Sequence, residues 1–168
     1  PIIFAHRGAS KRAPENTLSS FTLAEAQGAV AIELDARLSA DGQVVVFHDA
    51  TLERTTNGKG RIGDQDLAAL WALDAGSCFA EAFQGEKIPL LEEVFESVGR
   101  RTFLNVELTN YNAPHDHLVQ TVCMLVRKFG LQKRVLFSSF LATNLSRARG
   151  LLPEVPRGLL AFPGPLGA

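Results

Sequence analysis

Apolar residues in this chain fall into short runs, and several of these runs end in an acidic or histidine side chain. Ile2-Ile3-Phe4-Ala5 leads straight into His6, which predicts a buried strand over residues 2–6. A Gly/Ser turn follows, and then a helix that Pro14 and Asn16 or Thr17 can start. Leu18, Phe21 and Ala24 give that helix an apolar stripe, and Gly28 is a natural stop. Residues 30–37 read as a second strand. Asp41-Gly42 then turns the chain into a third, Val44 to Asp49, which carries His48. From about 50 to 88 the pattern loosens, with helical stretches near 66–73, and this predicts an inserted subregion covering one end of a sheet. Beyond it, Leu91, Val94, Phe95 and Val98 form one helical face, and residues 102–108 a strand carrying Asn105 and Glu107. A helix is predicted over 116–129 and closed by Gly130, then a strand over 134–139 and a helix over 141–149. A weaker sixth strand spans 157–162, and residues 163–168 read as loop.

Alternating strands and helices fit a doubly wound sheet or a TIM-type (β/α)8 barrel. Polar groups at the C-terminal ends of several different strands favour the barrel, and no Gly-rich nucleotide fingerprint follows the first strand. About six strands are legible, whereas a complete barrel takes roughly 250 residues. The expectation is an α/β fold: one domain over 1–168, a TIM-type barrel incomplete within this chain, with the insertion after the third strand and the last two βα units not visible. At 46% apolar and 21% charged residues the composition is that of a folded globule rather than a disordered chain. A net charge of -1 and scattered basic residues give no footprint for nucleic acid. No apolar stretch is long enough to span a bilayer. Cys78 and Cys123 lack metal-ligand spacing and read as reduced packing residues of a cytoplasmic protein.

The chemistry lies at the strand ends. Side chains alternate along a strand, so Glu33 and Asp35 share a face, with Cα atoms about 6.6 Å apart, while Ile32 and Leu34 face the helices. Glu107 falls at the same level of a later strand. Like charges at the rim of an apolar core call for a counter-charge. Three carboxylates without cysteine suit a hard divalent cation, Mg²⁺ or Ca²⁺, better than Zn²⁺. The plainer reading is solvated acids paired with Arg37 or Lys87. His6 and His48 each end an apolar strand and are placed to act as general acid and base. Arg7 fits a clamp on an anionic substrate, or else an ion pair with Glu15. Asn16 is read as the helix N-cap rather than a site residue, and Asp41-Gly42 as turn geometry.

His6-Arg7-Gly8, Ala13-Pro14-Glu15-Asn16-Thr17, Ile32-Glu33-Leu34-Asp35, Asp41-Gly42, Val46-Phe47-His48-Asp49 and Asn105-Val106-Glu107-Leu108 occur in that order and spacing. Together they resemble the glycerophosphodiester phosphodiesterase family, and Ile88-Pro89-Leu90-Leu91-Glu92-Glu93 and Ser138-Ser139-Phe140 extend the match. The resemblance implies a TIM-barrel enzyme hydrolysing small glycerophosphodiesters to glycerol 3-phosphate and an alcohol. It also implies metal ligands at Glu33, Asp35 and Glu107, an acid–base pair at His6 and His48, and a phosphate contact at Arg7. The implied route begins with the glycerol hydroxyl attacking phosphorus to give a cyclic phosphate, which water opens. One departure is Thr109, where the family usually carries lysine and so a positive charge for the phosphate. Two other readings remain. One is a lysophospholipase D-like enzyme, for which Trp71, Leu73, Phe79 and Phe83 would supply an apolar patch if they were not small-core residues. The other is a catalytically weakened binding or assembly module of the same fold. A homo-oligomer would cover the open barrel edges that a chain ending at Ala168 implies.

Overall fold

Strict alternation in Phe103–Leu108 buries Leu104, Val106 and Leu108 completely and leaves Asn105 and Glu107 on the other face. The computed structural model describes residues 2–162. Six strands form one sheet: β1 (Phe4–His6), β2 (Ala31–Leu38), β3 (Val44–Val46), β4 (Phe103–Leu108), β5 (Val135–Ser139) and β6 (Arg157–Leu159). All but β3 run parallel, in the order β1-β2-β4-β5-β6. The sheet does not close among the described residues, which is the incomplete TIM-type barrel expected from the pattern. The expected terminal loop over 163–168 lies outside the described residues.

Helices α1 (Leu18–Ala26), α2 (Leu67–Ala72), α3 (Leu91–Ser97), α4 (Leu118–Lys128) and α5 (Ala142–Leu151) connect the strands. Phe21, Val94, Phe95, Val122 and Val126 bury themselves against Ile32, Leu34, Leu104 and Val106 in one large core. Such burial contributes roughly 1.5–3 kcal/mol per large side chain, which is why the helices settle on this face. The start of α3 is fixed by the Glu93 carboxylate, which accepts the Leu90 N–H at 2.8 Å. None of the helices among the described residues is long and apolar enough to cross a membrane.

The exception, β3, decides where the site can form. It runs antiparallel to the upper half of β2, with Val46 opposite Ala36 and Val44 opposite Leu38. The Asp41-Gly42 turn makes this reversal, Gly42 taking the left-handed conformation (φ 81°). Phe47 N–H then donates to the Asp35 carbonyl at 2.9 Å, so the chain returns to the level of the β2 carboxylates. Residues 47–90 gather around a second, smaller cluster that includes Phe47, Leu52, Ile62, Leu70 and Ile88. Trp71 and Phe79 do not join it. They are 40% and 43% exposed, which corrects their reading as small-core residues, whereas Leu73 does pack on the cluster. Cys123 is buried in the main core, but Cys78 is exposed and is not a packing residue.

Candidate active site

The β2–β4 register sets Glu107 beside Asp35, and Glu33 lies one inward position below on the same face. One carboxylate oxygen from each of the three lies within 4.8 Å of the others. Glu33 and Asp35 are buried, and Glu33 Oε1 has no hydrogen-bond partner. Burial, with the adjoining Asp35 charge as the next cause, pushes the Glu33 carboxyl up to about 8. Glu107 is also raised by burial, an effect offset by the Tyr111 hydroxyl donating to its Oε1 at 2.6 Å. Neither Arg37 nor Lys87 pairs with these acids. Arg37 donates to the His48 carbonyl and Lys87 to the Leu73 carbonyl. A buried, partly orphaned carboxylate in a set of three is a costly arrangement for a protein alone. It fits a divalent cation with oxygen ligands.

The turn after β1 supplies the positive charge. Arg7 and Gly8 are both left-handed, at φ 56° and 80°. A Cβ on Gly8 would also meet the Ser20 backbone at 2.8 Å, so only glycine fits there. The turn aims the Arg7 N–H at the Glu33 carbonyl and at Glu33 Oε2, each at 3.0 Å. The Arg7 guanidinium pairs with Glu15 at 2.9 Å, and its Nε lies 3.4 Å from Asp35 Oδ2 without a hydrogen-bond partner. The ion pair with Glu15 thus forms, and it leaves Arg7 facing the acids.

Asn16 is not the helix cap. Thr17 has the extended backbone a cap needs, and its Oγ1 accepts the Ser20 N–H at 3.2 Å. Asn16 is left-handed (φ 57°) and buried, and its Nδ2 donates to Asp35 Oδ2 at 2.8 Å. It orients a carboxylate of the cluster.

His6 pairs in register with Glu33, and its Nε2 lies 3.7 Å from Glu33 Oε2. Burial and then the Arg7 charge lower its pKa. His48 follows the β3 hairpin. Arg37 grips its carbonyl through Nε and a terminal nitrogen at 2.9 and 2.7 Å, and its Nδ1 lies 2.5 Å from Asp49 Oδ1. Thr109 is buried and its hydroxyl donates to the Ala36 carbonyl at 2.7 Å, so no donor remains there for a phosphate. Sequence pattern gives no signal for Tyr111 at Glu107, and it suggests Arg37 as a partner of the acids rather than of the His48 carbonyl. No local period marks a side chain whose partner is met only after folding.

A family model described as the glycerophosphoryl diester phosphodiesterase family matches residues 6–164. A glycerophosphodiester phosphodiesterase of Caldanaerobacter subterraneus subsp. tengcongensis is 41% identical over 160 residues, 95% of this chain and 66% of that protein. This chain therefore spans a little under two thirds of the length of that curated relative. Among solved structures, an Oleispira antarctica phosphodiesterase in complex with the product sn-glycerol-3-phosphate superposes with a TM-score of 0.92 at 39% identity, covering 99% of this chain and 69% of that one. A glycerophosphodiester phosphodiesterase from Agrobacterium tumefaciens gives 0.84 at 39% identity, covering 93% and 65%. Motifs, fold and matches over nearly the whole chain agree, and the chain belongs to the glycerophosphoryl diester phosphodiesterase family.

Proposed function

We propose that this chain carries the active centre of a metal-dependent glycerophosphodiesterase that releases glycerol 3-phosphate and an alcohol. The observation that carries the reading is the convergence of Glu33, Asp35 and Glu107 within 4.8 Å, with His6 and Arg7 on the same rim. The names of the relatives and the product held by the Oleispira protein support the substrate class. Glu33, Asp35 and Glu107 would hold Mg²⁺ or Ca²⁺. When bound, the ion supplies positive charge against the phosphoryl oxygens.

The chain's own groups do the rest. Arg7, held beside the acids by Glu15 and Asp35, brings its guanidinium charge to a phosphate oxygen. His6 is held towards its neutral form by burial and by Arg7, which suits it to take the proton of the attacking glycerol hydroxyl. His48 is backed at Nδ1 by Asp49, which leaves Nε2 to hand a proton to the departing alcohol oxygen. The cyclic phosphate so formed is opened by water with the proton transfers reversed. The test is glycerol 3-phosphate release from glycerophosphocholine by the full-length protein, with and without EDTA. Release that EDTA abolishes and Mg²⁺ or Ca²⁺ restores is expected. No release from any of several head groups by the folded protein would instead favour a binding module.

Because Thr109 leaves no donor where the family usually has lysine, Arg7 bears more of the phosphate. Arg7→Ala is expected to lower kcat/KM by about 10²–10³-fold, the scale of losing one charge-stabilising donor. Steady-state kinetics on glycerophosphocholine checks this, and a loss under tenfold would refute the role. One observation favours a lipid-bearing substrate as the second reading. Trp71 and Phe79 are large apolar side chains left 40% and 43% exposed in the segment after β3. Turnover of lysophosphatidylcholine faster than glycerophosphocholine would establish that reading.

A further inference from the structure

Arg54 lies in the loosened region after β3, and its side chain is 47% exposed, yet it makes four hydrogen bonds. Nε and Nη2 donate to the two oxygens of Asp49 at 2.6 and 3.0 Å. Nη1 and Nη2 donate to the two oxygens of Glu15 at 2.9 and 2.7 Å. The two carboxylates belong to different loops, five and thirty-nine residues away in sequence. Each passes the contact on. Asp49 Oδ1 lies 2.5 Å from His48 Nδ1, and Glu15 Oε1 accepts from Arg7 at 2.9 Å. A continuous series thus runs His48–Asp49–Arg54–Glu15–Arg7.

Both edges of the Arg54 guanidinium are occupied by protein carboxylates, and its charge is matched before any substrate arrives. A free arginine at the rim would be a phosphate contact; this one is not. Resting on the proposed phosphodiesterase reading, we infer that Arg54 is a positioning residue, a strap across the rim that sets His48 and Arg7 in one arrangement. Through Asp49 it fixes the Nδ1–H tautomer of His48 and so leaves Nε2 free for proton transfer. Through Glu15 it governs Arg7. With Arg54 in place the Glu15 carboxylate is shared between two guanidinium groups, and without it Glu15 draws on Arg7 alone and turns it from the acids. The Arg54 bonds are the largest influence holding Asp49, at about 2, and Glu15 below the usual carboxylate range, consistent with full sharing. Two planar bidentate contacts at once require arginine, and lysine has no such fork.

The experiment compares wild type, Arg54→Ala and Arg54→Lys in the full-length protein, by kinetics on glycerophosphocholine and by ¹⁵N NMR of the His48 ring at alkaline pH. Arg54→Ala should lower kcat by about 10–100-fold, the usual cost of removing a group that orients a site residue. It should also raise KM and give His48 a mixture of tautomers, while the unfolding temperature stays within a few degrees of wild type, since exposed ion pairs contribute little. Arg54→Lys should recover less than half of the kcat loss on a logarithmic scale. Arg54→Ala combined with Asp49→Asn should lose little more kcat than the worse single variant. Wild-type kinetics in Arg54→Ala, or a His48 ring still wholly in the Nδ1–H tautomer, overturns the strap. If the wild type has no phosphodiesterase activity, the proposed function fails and the NMR comparison alone decides the strap.

Discussion

His48→Ala is expected to lower kcat on glycerophosphocholine by about 10²–10⁴-fold, the range spanned by a positioned acid or base. The same loss is expected for His6→Ala. Neither change should cost much stability, because the two side chains are 39% and 67% exposed and fill no core. Loss of activity would therefore report chemistry rather than unfolding, and circular dichroism with thermal melts checks the distinction. The pH profile separates the two roles. A base works when deprotonated, and the His6 pKa is lowered, so the acid limb of kcat/KM should lie below the ordinary histidine value of about 6.5. In His6→Ala that limb should vanish, and in His48→Ala the residual activity should keep it. Either variant working within tenfold of wild type would end its assignment.

The second large effect is on stability and has opposite signs for folding and for function. Glu33 titrates at about 8 in the folded chain against an ordinary value of about 4.5. Folding then favours the protonated form. The penalty is absent below about pH 4.5, grows as pH rises from there to about 8, and is full beyond it. Metal-free protein should lose stability steadily through that window. A divalent ion held as proposed would bind the deprotonated acids, so its effect should grow over the same range. At 100 times its dissociation constant an ion contributes about 2.7 kcal/mol, roughly 5–10 °C in the unfolding temperature of a chain this size. Glu33→Gln removes the buried charge and retains an oxygen to accept the Arg7 N–H. It should melt higher than wild type at pH 8 without metal, gain much less from added ion, and lose activity. Scanning calorimetry at pH 5 and pH 8, with EDTA or with Ca²⁺, reads all three. A metal-free melting temperature that does not fall between those pH values, or a Glu33→Gln variant that melts lower at pH 8, would contradict the charge-cluster account.

These two effects rest on different kinds of information. The strand-end pattern, the helix stripes and the shared face of Glu33 and Asp35 are local properties. A strand alternates every two residues wherever it lies in a fold, so local pattern alone shows that His6, Glu33, Asp35 and Glu107 end apolar runs and that the sheet is mainly parallel. It also carried the family motifs in order. What it did not carry is how strands register and what meets across loops. Glu107 stands beside Asp35 only because β2 and β4 pair in that register. His48 returns to the carboxylates because β3 reverses against β2, which a list of successive strands does not reveal. Asn favours a cap position, but Thr17 takes the extended backbone and leaves Asn16 to reach Asp35 nineteen residues away. Arg54 and Tyr111 likewise bond to groups brought close only by folding. Residue type and spacing thus chose the chemistry. Tertiary structure chose the partners, because hydrogen bonds and ion pairs depend on distances of a few ångströms that sequence separation does not encode.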